Sequence, residues 1–202
     1  MKTLSKNPQI EVLRSLAWAC SCLSILLIAA FLLKGTIGYF IFLFAYGWLL
    51  WTFVEYSIHR FLMHELIVPG KKDELFNHHN HHANPHSLKV KMWHRILVFS
   101  LGISIFFLAV TLNNLFTAFA GFFIGFLFYN FLHYILHKPI GKILLPKIQR
   151  AHILHHTRYP NCGYSFSTIL WDWLFDTLPP KEAEISPKME ENYFGFFRKT
   201  TH

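Results

Sequence analysis

Between Ile96 and His137 the chain carries no Asp, Glu, Lys or Arg at all. Such a run has no solvated face, and its one polar break, TLNN at 111 to 114, divides it into two apolar segments. Charge is sparse elsewhere too: 15% of residues are charged against 53% apolar, which sets the chain outside the usual composition of soluble domains. Cysteine is scarce. Cys20, Cys22 and Cys162 are odd in number, and the first two fall inside an apolar run, so neither a disulfide framework nor a thiolate metal site is indicated. No N-x-[ST] acceptor occurs.

What remains is long hydrophobic runs and histidine. Arg14 and Lys34 bracket nineteen uncharged residues, close to the roughly 20 residues of helix that cross a bilayer core. Residues 35 to 54 form a second such run, and the stretch from Ile96 supplies two more. The expected fold class is therefore all-α: four transmembrane helices in two hairpins with a cytoplasmic, helical, His-rich cap, forming one membrane-embedded domain over 1–202 with its core at about 50–180. The first segment is too long for the apolar core of a secretory signal and is expected to stay. Of the 19 Lys and Arg, 18 fall in the head, in residues 60–95 and from 138 onward, which by the positive-inside rule makes that side cytoplasmic. The net charge of +8 then reads as topology and contact with anionic headgroups, not as a nucleic-acid surface. KPIGKILLPKIQR should lie at headgroup level, STILWDWLFDTLPP suits an interfacial belt or a lid, and the last twenty or so residues are expected to be peripheral.

Four histidine clusters stand at the ends of these hairpins: His59 and His64; His78, His81 and His82; His133 and His137; His152, His155 and His156. On an α-helix, positions four apart lie about 40° apart around the axis, so the last three clusters each present one face. His59 and His64, five apart, converge only if the second helix ends or bends near Phe61 to Met63. Ten imidazoles exceed the four ligands of a structural zinc site and suit two metal ions with roughly five ligands each. Imidazole alone does not choose among iron, copper, zinc and nickel, but a redox-capable pair beside lipid suits dioxygen activation. Glu55, Asp172 and Asp176 are the expected carboxylate partners of the ligands. His79, His86 and His94 fall outside the spacing and read as surface or hydrogen-bonding residues; His202 is terminal.

The order H-x4-H, H-x2-HH, H-x3-H, H-x2-HH resembles that of the fatty acid hydroxylase and sterol desaturase superfamily of membrane di-iron enzymes. WTFVEYSIHRFLMH (51 to 64) and GYSFSTILWDWLFDTLP (163 to 179) are similar to segments of its fatty acid 2-hydroxylase branch. Two departures occur: Pro85-His86-Ser87 stands where the branch commonly has Pro-Met-Asp, and KVKMWHRI where it has a proline pair.

The resemblance implies two iron ions held by the ten histidines, zinc being a possible substitute in purified protein, with dioxygen as co-substrate. The substrate would be a fatty acyl chain, often within a sphingolipid, hydroxylated next to its carbonyl. Lys71, Lys72, Lys89 and Arg158 would hold its head. Many relatives carry a fused cytochrome b5 domain, so electrons are expected here from a separate donor such as cytochrome b5 or ferredoxin with its reductase. The membrane would be a bacterial inner membrane or the endoplasmic reticulum. A carotenoid or sterol-type hydroxylase or desaturase of the same superfamily is the nearest alternative, although carotenoid hydroxylases commonly space the third cluster as H-x4-H. Outside the class stands a His-rich metal transporter, whose site would lie nearer mid-membrane.

Overall fold

The computed structural model describes residues 8–65, 78–85 and 92–195; the side chains of Pro8 and of residues 78–80 are outside the description. Lys71, Lys72, Lys89, His86 and His202 lie outside the described residues, as do the side chains of His78 and His79. Among the described residues four long helices are apolar enough to cross a membrane: Gln9–Leu32, Ile37–Glu65, Met92–Leu112 and Phe116–Leu136. In order the elements are α1 (Pro8–Leu32), α2 (Ile37–Ser57) continued by a π-helical segment (Ile58–Glu65), α3 (His78–Ala83), α4 (Met92–Leu112), α5 (Phe116–Leu136), α6 (Gly141–Leu144), α7 (Pro146–Thr157), α8 (Leu170–Leu174) and α9 (Pro187–Phe194).

The chain divides into two compact units, residues 1–54 with 90–129 and residues 55–89 with 130–202. In the first unit α2 and α5 approach through glycine. A Cβ on Gly47 would overlap the carbonyl of Ala118, and one on Gly121 the carbonyl of Phe44. Where lipid surrounds the helices, small residues of this kind are what permits close packing. Aromatic rings fill in around that contact: Trp51 meets Phe122 at 5.4 Å and Phe126 at 5.0 Å, and Phe106 of α4 sits edge-on to Phe40 and Phe44 at 6.0 Å. Ala30, Tyr39 and Leu43 form the buried cluster between α1 and α2. By contrast, α4 buries Ala109 and turns Leu97, Phe99, Ile103 and Phe107 outward, the pattern expected of a face in contact with lipid.

The second unit is laced by side chains that bind backbone. Gln149 on α7 donates from Nε2 to the carbonyls of Leu136 (2.8 Å) and Lys138 (2.7 Å), which satisfies the open end of α5. Arg150 donates to the carbonyls of Pro180, Lys181 and Ala183 at 2.9, 3.0 and 2.6 Å and so pins the chain that leads into α9. That last helix is well terminated: the Ser186 hydroxyl accepts from Met189 N–H, Pro187 opens the first turn, and Gly195 closes it at φ 69°. Contrary to the peripheral role expected of the tail, α9 is bound into the unit. Lys142 pairs with Glu190 at 2.6 Å, and Tyr193, fully buried, donates its hydroxyl to the Leu136 carbonyl at 3.0 Å. The aromatics of STILWDWLFD divide likewise: Trp171 and Phe175 are core, and Trp173 is exposed.

Candidate metal centre

The π-helical segment answers the question raised by His59 and His64. In a π-helix the backbone bonds run from i to i+5, so residues five apart share a face. His59 and His64 accordingly have ring centroids 5.0 Å apart, and Arg60 and Glu65, also five apart, pair at 2.7 Å. The second helix widens rather than ending or bending.

Eight of the ten sequence-selected histidines fall into two groups: His59, His64, His82 and His155, and His81, His133, His137 and His152. Within each group one nitrogen per ring lies within 4.8 Å of all the others. His156 stands between them, 4.2 Å from His82, 4.8 Å from His81, 4.5 Å from His152 and 5.0 Å from His137 by ring centroid. Both of its ring nitrogens are buried without a hydrogen-bond partner among the described residues. Where five ligands per ion were expected, the described side chains form two groups of four with His156 beside both; His78 lies on α3 with its side chain outside the description.

Ring orientation is set by the surroundings. His59 donates Nδ1–H to the Tyr164 carbonyl at 2.7 Å, and His155 to the Cys162 carbonyl at 2.8 Å, which leaves each Nε2 as a lone-pair donor. In the other group, Nε2 of His137 lies 3.2 Å from Nε2 of His133 and 3.0 Å from Nε2 of His152. Two donors each about 2.0–2.1 Å from one ion are themselves about 3.0–3.4 Å apart, so these nitrogens are spaced as ligands of a common ion. Burial lowers the pKa of His81 to about 4, and burial with neighbouring histidines holds His137, His152 and His156 well below the usual imidazole range. These four rings are therefore neutral near pH 7, the form that binds metal. Donor type and spacing make both groups compatible with metal binding, and protonation does so for the second.

Glu55 and Asp172, the expected carboxylate partners of the ligands, hold a loop that reaches the histidines. Glu55 accepts from the Phe166 and Ser167 amides at 2.7 and 2.9 Å and from the Ser167 hydroxyl. Asp172 accepts from the Tyr164 and Ser165 amides at 2.9 and 2.8 Å and from the Thr177 hydroxyl at 2.7 Å. Between them runs a loop that brings the Tyr164 carbonyl to His59 and lays Phe166 on His59 and His133, each at 4.6 Å. Asp176, exposed with φ 57°, is not brought to either group; Arg158 is exposed and lies over Tyr159, and His94 is exposed and stacked on Trp93. Sequence reasoning missed Phe166 and Tyr164 as shaping residues, although they lie in the quoted closing segment. It also missed Tyr193, for which no spacing gives a signal.

Among the described residues, helices without strands, four of them of membrane length, and two imidazole groups compatible with metal are the class that fold and site define. The chain belongs to the fatty acid hydroxylase family, whose model matches residues 44–177. It is 37% identical over 162 residues to the mouse (Mus musculus) fatty acid 2-hydroxylase, covering 75% of this chain and 42% of that one. To a dihydroceramide fatty acyl 2-hydroxylase of Arabidopsis thaliana it is 30% identical over 161 residues, covering 72% and 62%. To the ceramide very long chain fatty acid hydroxylase of Saccharomyces cerevisiae it is 28% identical over 153 residues, covering 72% and 40%. The chain thus spans about two fifths of the mammalian and yeast relatives' length and about three fifths of the plant one. No solved structure matches it.

Proposed function

We propose that the chain is a dioxygen-dependent di-iron hydroxylase of a lipid acyl chain, acting at the carbon next to the carbonyl of a fatty acid or of a sphingolipid-linked acyl group. The observation that carries this reading is the pair of four-histidine groups with His156 between them. His59, His64, His82 and His155 would hold one ion, and His81, His133, His137 and His152 the other; His156 lies within reach of both, and His78 joins the set by its spacing. Iron bound there would supply dioxygen activation and oxidation of the acyl C–H bond. The chain's own residues do the rest. Glu55 and Asp172 hold the 164–167 loop, the Tyr164 and Cys162 carbonyls orient His59 and His155, and Phe166 sets an apolar wall against rings of both groups. The mouse, plant and yeast relatives are named for 2-hydroxylation of fatty acids or for hydroxylation of ceramide acyl chains, which supports the substrate class.

In this reading the His-rich side is cytoplasmic, and a carrier such as cytochrome b5 or ferredoxin with its reductase delivers electrons there. Lys71, Lys72, Lys89 and Arg158 are the cationic residues available to an anionic head. Purified protein loaded with ferrous iron and given a reductant, dioxygen and an acyl lipid should yield a product heavier by one oxygen at C2, detected by mass spectrometry. His155→Ala should abolish that product, and turnover unaffected by this change would refute the assignment.

A further inference from the structure

The two histidine groups are built differently. In the first, carbonyls fix the rings of His59 and His155 through Nδ1. In the second, the Nδ1 atoms of His137 and His152 are buried with no hydrogen-bond partner among the described residues. Packing holds His137 instead. The Tyr193 ring stacks on it at 4.9 Å with 22° between the planes, and meets His156 at 5.6 Å and His152 at 6.1 Å. Its hydroxyl is anchored on the carbonyl of Leu136, the residue before His137, so ring and backbone are gripped together. The helix that carries Tyr193 is tied down by Lys142 and Arg150, and it lies beyond residues 44–177, where the family match ends.

We propose that Tyr193 is the positioning residue of the second histidine group, doing by ring stacking what the Tyr164 and Cys162 carbonyls do for the first, and that the second group therefore binds its ion more weakly. A hydrogen bond to the outer nitrogen raises the basicity of a ligand imidazole, and losing such a partner typically costs about 10–100-fold in affinity. The first group has these bonds at two of its four ligands. The inference rests on reading both groups as metal sites.

The test is titration of chelator-stripped full-length protein in detergent with cobalt(II), followed by visible absorption and by metal analysis after gel filtration. The wild-type chain should take up two ions in two steps separated by about tenfold or more. His59→Ala should remove the tighter step and so identify it with the first group. Tyr193→Leu should leave the tighter step and its spectrum unchanged while weakening the second by about tenfold or more. Tyr193→Phe, which keeps the stacked ring, should restore it. Retention of the first step shows that the variant is folded. Two ions held equally by the wild type, a Leu variant that titrates like it, or loss of both steps together would each overturn the proposal. A wild-type chain that takes up no cobalt would instead overturn the metal reading itself.

Discussion

Replacing Glu55 by Ala tests whether the loop at 164–167 is held as the structure indicates. The carboxylate is buried and accepts hydrogen bonds from two amides and a hydroxyl. A bond to a charged group is worth about 1.5–3 kcal/mol, and a buried donor left without an acceptor costs about 1–3 kcal/mol. Phe166 N–H is deeply buried, whereas the Ser167 groups are half-buried and can regain water. The expected loss is therefore about 3–5 kcal/mol in all. For a chain of this length that is a fall in melting temperature of about 10 °C, read by intrinsic fluorescence of metal-free protein in detergent. Metal binding should respond unevenly. The loop supplies the carbonyl that holds His59, so the first group should weaken by about 10–100-fold while the second changes little. Glu55→Gln, which keeps an oxygen for the two amides, should show less than half of both effects. A melting temperature within about 2 °C of wild type, or selective loss of the second group, would refute the reasoning.

Two further outcomes stem from burial. Trp171→Ala should destabilise the protein by about 3–5 kcal/mol, and Trp173→Ala by less than about 0.5 kcal/mol, since the first is fully buried and the second exposed; equal melting temperatures for the two variants would contradict this division of the aromatic segment. The metal-free chain should also lose stability on acidification. His81 has its folded pKa lowered to about 4 from 6.5, and burial lowers His137, His152 and His156 in the same direction. Below about pH 6.5 the unfolded chain takes up protons that the folded chain refuses, so stability present above that pH falls by up to about 1.4 kcal/mol per unit for each such group, down to about pH 4 for His81. Melting temperatures of metal-stripped protein at pH 8, 7, 6 and 5 measure this, and a flat or rising series would count against it.

The spans were legible because a run of twenty apolar residues leaves few other structures open. His133 and His137 were legible as a pair because an α-helix turns positions four apart to one side, whereas His81 and His82, and His152 and His155, divide between the two groups. His59 and His64 were harder, because nothing in IHRFLMHE distinguishes an α from a π winding, and only the π winding brings residues five apart to one face. Glu55 and Asp172 could be picked out as carboxylates near the site, but not their task. A carboxylate that steadies a ligand and one that steadies the loop behind it look alike until the amides of Tyr164 to Ser167 are placed. Tyr193 was read as tail because the polar residues around it conceal one side chain that turns inward.

The widened turn between Ile58 and Glu65 works as a phase adjuster. One residue more than an α-turn needs is absorbed there, which advances the angular order of the residues beyond it by about 100°. The apolar sequence ahead of Ser57 can thus drift to suit its helical neighbours and its lipid without rotating His64 away from His59, His82 and His155. The liberty to vary in one stretch and the fidelity of aim in the next are uncoupled by a single surplus amino acid.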